Sequence, residues 1–150
     1  MKERKNMASK LPIGVIALLP DPNDPHRGTI EFTSLQDPNE PPETAKLTAP
    51  PKQWVVWLIE NYFDDHDIEV TLTFPWPDGR KDTPFRKNEH DEKVKDWSDD
   101  DGPGVGSIRL KVQDDAAEKA YKYTISTDLD GIPPLDPMLE VDDGGTIIPK

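Results

Sequence analysis

Over residues 68–74 apolar and polar side chains alternate without a break. Ile68, Val70, Leu72 and Phe74 fall on one side, and Glu69, Thr71 and Thr73 on the other. A period of two is the geometry of an extended strand, and a strand with one apolar face must bury it against a second layer. Alternation returns at residues 107–113, with Ile108, Leu110 and Val112 as the inward set. Residues 13–19 and 29–35 read as strands rich in β-branched side chains, followed by shorter ones at 45–48, 120–126 and 135–141.

Proline separates these segments. The chain holds 17 prolines in 150 residues, and only 33% of its residues are hydrophobic, so loops must occupy much of it. Pro20-Asp21-Pro22-Asn23-Asp24-Pro25 is turn chemistry, because proline fixes φ while Asp and Asn bond back to the backbone. A second proline-rich connector spans 37–43. Residues 75–104 form a long polar excursion, and a connection of that length is expected to be functional or mobile.

Residues 54–63 fit two readings. As a helix, Trp54, Val55, Leu58, Ile59, Tyr62 and Phe63 share one face; as a strand, residues 54–59 are buried on both sides. The Trp, Val and Ile content and the β-rich surroundings favour the strand. Seven or eight short strands with at most one helix predict an all-β sandwich. It is expected as one domain over 11–142, between flexible tails at 1–10 and 143–150.

Thirty acids against 18 bases give a net charge of −12, which repels polyanions. Nucleic acid and anionic membrane are therefore excluded as partners, leaving another protein or a second copy of the chain. Cysteine is absent, which removes disulfides and thiolate chemistry. Met1-Lys2-Glu3-Arg4-Lys5 has the charge of a signal peptide, but the apolar run that follows is short and begins beyond Pro12. A cytoplasmic location is the expectation.

No cofactor or metal site is expected. Asp99-Asp100-Asp101-Gly102 and Asp128-Leu129-Asp130-Gly131 resemble the opening of a calcium loop, but Leu110 and Leu139 stand where its closing glutamate belongs. His26, His66 and His90 follow no zinc spacing, and Asp64-Asp65-His66-Asp67 reads as a turn. Trp54, Trp57, Trp76 and Trp97 read as core and loop anchors. No nucleophile elbow or phosphate loop is present.

One motif remains, Leu135-Asp136-Pro137-Met138-Leu139. The Asp carboxylate of an Asp-Pro link can attack its own carbonyl carbon to form a five-membered anhydride, expelling the proline nitrogen. A lysine held nearby could intercept that anhydride. The dipeptide alone is no signal, since Asp21-Pro22, Asp24-Pro25 and Asp37-Pro38 also occur. Its strand context is what distinguishes it. If 120–141 is a hairpin whose loop is centred on Leu129, Lys122 stands directly opposite Asp136. Asp136 is then the reacting acid and Lys122 the acceptor, with Asp130, Asp128 or Glu140 donating a proton to Pro137. The donor carboxyl and the lysine would both need desolvation. The plain alternative is a surface ion pair beside an edge-strand proline.

Trp57 in its strand, Phe74, Thr83-Pro84-Phe85, Tyr121-Lys122-Tyr123-Thr124-Ile125 and the 135–139 motif follow one another in an order that resembles the DP-EP family of small bacterial β-sandwich proteins. The resemblance covers about residues 54–141. It implies an immunoglobulin- or cupredoxin-like sandwich. It also implies self-cleavage at Asp136-Pro137, with the new carboxyl joined to a lysine, Lys122 being the best placed, and assembly of chains. Asp142-Asp143-Gly144 departs from the proline-glutamate ending of that pattern. The alternative function is a non-catalytic interaction module that binds a protein through the 75–104 excursion.

Overall fold

The computed structural model describes residues 11–36, 39, 45–74, 84–85, 89–114, 116 and 119–142. Both expected tails, Trp76 and much of the 75–104 excursion lie outside the described residues. Among those described, the chain forms ten strands and no helix. The expected all-β sandwich is what forms, with more strands than the alternation alone revealed.

The first layer is a sheet in the order β2-β1-β4-β7, made by β1 (Ile13–Asp21), β2 (Asp24–Ser34), β4 (Trp54–Asn61) and β7 (Gly104–Lys111). β1 and β2 are an antiparallel hairpin whose turn is tighter than the proline-rich sequence implied, with Asp21 already paired to Asp24. Asp21 Oδ1 accepts the Asn23 N–H at 2.8 Å and Asp24 Oδ1 accepts the His26 N–H at 3.0 Å, so each Asp closes its own turn. Residues 54–61 are strand, not helix. β4 lies between β1, parallel to it, and β7, antiparallel, which pairs its backbone on both edges. Val55, Trp57, Ile59 and Asn61 are fully buried, while Trp54 and Leu58 face outward and are exposed. Trp54 is thus no core anchor.

The second layer has two three-stranded sheets. One runs β3-β10-β8, with β3 (Lys46–Ala49), β8 (Ala120–Lys122) and β10 (Met138–Val141); the other runs β6-β5-β9, with β5 (Ile68–Thr73), β6 (Glu89–Val94) and β9 (Thr124–Thr127). β6 lies inside what read as one long excursion. Only Val94 of its side chains is buried, and its charges suit an edge strand that must not recruit another chain.

The expected strand 120–126 divides at Tyr123, and proline is the reason. Tyr123 donates its N–H to the Pro137 carbonyl at 3.1 Å, but Pro137 has no N–H to return. Reciprocal bonding resumes at Ile125 and Leu135, which exchange bonds of 2.7 and 3.0 Å. The chain therefore pairs with β10 before Tyr123 and with β5 after it.

The layers close on one core. Trp57 of β4 meets the rings of Tyr123, Phe74 and Phe85 at 5.8, 6.0 and 6.1 Å, edge to face, and Phe74 stacks on Tyr123 at 4.7 Å. Trp57 Nε1–H donates to the Tyr123 hydroxyl at 3.0 Å. Burial pushes the Tyr123 hydroxyl well above the ordinary phenol range, against a smaller lowering by the Trp57 bond.

Candidate functional site

The Asp136 segment is the first candidate, and its faces sort as the alternation predicts. Tyr121, Tyr123, Ile125, Leu139 and Val141 are buried, whereas Lys122, Asp136 and Met138 are exposed. The register does not follow the expectation. Lys122 pairs with Met138, not with Asp136, so the loop is centred on Asp130 and not on Leu129.

The loop's own attachments explain the shift. Asp128 donates its N–H to the Glu69 carbonyl at 3.1 Å, and its Oδ1 accepts the Glu69 N–H at 3.0 Å. Gly131 bridges to Arg27 and accepts the Gly28 N–H at 3.2 Å. A Cβ at Gly131 would collide with the His26 carbonyl, so only glycine permits that approach. Neither attachment is visible in the local alternation.

Each acid named from the sequence has a definite place. Asp136 Oδ1 accepts the Thr124 hydroxyl at 2.8 Å, its cross-strand neighbour. Glu140 Oε1 takes the Lys46 ammonium at 2.7 Å, so it is no free proton donor for Pro137. Asp128 is tied to Glu69, and Asp130 is exposed at the turn. Lys122 does share the outward face with Asp136, one rung away on the diagonal. Such neighbours are roughly 7–8 Å apart, a gap a lysine side chain can span. The Lys122 side chain sits in solvent, without the burial that a neutral amine would need, and the named donors Asp128 and Asp130 are exposed as well.

A second candidate was not legible in the sequence. Leu19, Pro20, Asp21, Pro22, Tyr62, Asp64 and Trp97 line a shallow groove at the end of β1 and β4. Asn61, fully buried at the end of β4, organises it. Its Nδ2 donates to the carbonyls of His66, Lys95 and Val94 at 2.9, 3.1 and 3.2 Å, and its Oδ1 accepts the Phe63 N–H at 2.9 Å. One side chain thus fastens residues 62–67 to the stretch that leads into Trp97.

Trp97 is fixed twice more. Its N–H donates to the Phe63 carbonyl at 2.7 Å, and the turn after it closes through mutual Ser98 and Gly102 bonds of 2.9 and 2.6 Å. Gly102 there has φ of 78°, the left-handed conformation that glycine adopts freely. The Tyr62 and Trp97 rings stand 6.1 Å apart, tilted by 32°. The Tyr62 hydroxyl donates to Glu60 Oε1 at 3.0 Å. That bond, then burial, then the Glu60 charge hold its pKa above the ordinary phenol value. The only sequence signal was an isolated Trp97 in a charged stretch.

Among the described residues, no group of three or more His, Asp or Glu side chains is placed to hold a metal ion. No described helix is long and apolar enough to cross a membrane.

No protein-family model matches the chain, and no curated protein does. Among solved structures, reduced rusticyanin is similar over 95% of this chain and 96% of its own, at 11% identity and a TM-score of 0.45. A histidine-to-methionine variant of rusticyanin is similar over 93% and 94%, at 12% identity and a TM-score of 0.44. A protein from a marine microbial metagenome matches 89% of this chain and 32% of its own, at 10% identity and a TM-score of 0.39.

Proposed function

We propose that the chain is a non-catalytic β-sandwich module that binds another protein, with contact at the groove where the 75–104 excursion reaches Trp97. The observation that supports this reading is the pair of half-exposed rings, Tyr62 and Trp97, held in place before any partner arrives. Trp and Tyr dominate the energetics of protein contacts, and a side chain already ordered loses less freedom on binding. A photo-crosslinking residue at position 98 is expected to capture one identifiable protein. The same residue at position 122 should not, and Trp97→Ala should remove the product. Equal capture from both positions, or none from either, would overturn the reading.

A second reading is self-cleavage of Asp136-Pro137, favoured by one observation: Thr124 holds one carboxylate oxygen of Asp136 while Lys122 occupies the same outward face. In that reaction the carboxylate attacks its own main-chain carbonyl, the bond to Pro137 breaks, and the proline nitrogen takes up a proton. The Lys122 amine then opens the anhydride to form an amide. Intact mass after incubation at neutral pH decides it. Loss of residues 137–150, or a deficit of one water, supports cleavage or linkage, and one unchanged mass identical in behaviour to Asp136→Ala removes it.

A further inference from the structure

We infer that the Tyr62–Trp97 groove accepts a cationic side chain, a lysine ammonium or an arginine guanidinium, presented by the partner protein. This rests on the reading that the groove is a protein contact, and it names the chemistry of what enters.

The side chains that line the groove have acceptors to spare and no free donor. The two polar hydrogens of the aromatic walls are already committed, the Tyr62 hydroxyl to Glu60 and the Trp97 indole N–H to Asp99 Oδ1 at 3.4 Å. Pro20 and Pro22 have no N–H, and Leu19 adds only apolar surface. The side chains of the groove therefore offer ring faces and the carboxylates of Asp21 and Asp64, which are acceptors alone when ionised.

An anion would meet negative charge without a hydrogen bond in return. A sugar would find acceptors but few donors for its own oxygens. Ammonium and guanidinium groups are donors only, and they are attracted both to ring faces and to carboxylates. Among the described residues, no lysine or arginine of this chain forms an ion pair with Asp21 or Asp64. The chain's net charge of −12 favours the approach of such a group from any direction.

The test uses the whole chain and two small probes of matched shape, N-acetyl-arginine methylamide and its uncharged citrulline counterpart. Backbone and indole N–H resonances are followed by NMR during titration. The arginine probe is expected to produce saturable shifts centred on Trp97, Tyr62, Asp21 and Asp64, while the citrulline probe leaves them unmoved. Trp97→Ala should weaken binding about five- to tenfold. Asp64→Asn, at an exposed position, should weaken it about two- to fivefold and reduce its salt dependence.

Equal responses to the two probes would overturn the assignment, leaving a groove that recognises shape alone. Arginine shifts centred on Asp99, Asp100 and Asp101 would overturn it too, as general attraction to acid. An absent arginine response with crosslinking from position 98 intact removes the cation and keeps the protein contact. A retained arginine response with no crosslinking supports the cation site and removes the partner.

Discussion

The outward face of β8 and β10 and the groove at Tyr62 are both acidic, but they dispose of their acids differently. On the first, Asp136 is bonded to Thr124 and Glu140 to Lys46, so both carboxylates are answered from within the chain. In the groove, Asp21 accepts the Asn23 N–H of its own turn, Asp64 pairs with no lysine or arginine among the described residues, and the nearby rings have turned their hydrogens toward Glu60 and Asp99. An acid already answered locally helps hold a strand in place. An acid left facing a preformed aromatic cleft is available to an incoming group. The motif that draws attention in the sequence is therefore the more self-contained of the two.

The largest effect that would break this contrast lies under the groove. Asn61→Ala removes four hydrogen bonds at a fully buried position and leaves three carbonyls and the Phe63 N–H without that partner. Two of those bonds are buried and two partly so; a buried group left unpaired costs about 1–3 kcal/mol and water reaches the others, so a loss on the order of 3–5 kcal/mol is expected in denaturant unfolding. Resonances of Tyr62 and Trp97 should move while those of Asp136 and Thr124 stay. If the Asp136 region moved equally, the two surfaces would be one cooperative unit and the contrast would fail.

A smaller effect is expected from the core between them. Tyr123→Phe deletes the acceptor of the Trp57 indole N–H and should cost about 1–3 kcal/mol. It should also change the response to alkali. The folded chain holds the Tyr123 hydroxyl protonated above pH 10.0, the ordinary phenol value at which an unfolded tyrosine ionises. Above that pH the unfolded state binds fewer protons than the folded one, so stability falls as pH rises. The stability due to this proton is complete below pH 10.0 and declines at about 1.4 kcal/mol per pH unit above it. Tyr123→Phe should flatten that decline, leaving the weaker one due to Tyr62. Unfolding curves at several alkaline pH values would show it, and a slope unchanged by the substitution would refute the assignment.

Much of the fold was legible because burial on one face writes itself into a period of two. Residues 68–74, 107–113 and 120–126 are the clear cases. β6 was not legible, because an edge strand with one buried side chain carries no such pattern. The hairpin register failed for a different reason: Asp128 and Gly131 are fixed by Glu69 and Arg27, residues distant in sequence. Side-chain direction survived the error, because the loop centre moved by one residue and the partner by two, which preserves the face. The groove was hidden most completely. Its walls come from 19–22, 62, 64 and 97, and Asn61 in a run of apolar residues looks like the end of a strand, not the clamp it is.

The smallest expected effect bears on the ladder itself. Lys46 and Glu140 meet at 2.7 Å, but their side chains keep 53% and 32% of their exposure, so solvent screens the pair. Glu140→Gln should change stability by no more than about 1 kcal/mol, and the difference from wild type should shrink further in high salt. Asp136→Asn belongs to the same class, since its carboxylate is bonded to one hydroxyl at an exposed site. A cost near 3 kcal/mol for either would mean that the outward face carries strain or buried charge that its exposure conceals. The answered acids would then no longer be a passive surface, and cleavage at Asp136-Pro137 would regain the stored energy it otherwise lacks. Small, salt-sensitive effects leave the ladder as ordinary structure and the Tyr62–Trp97 groove as the surface with an unanswered charge.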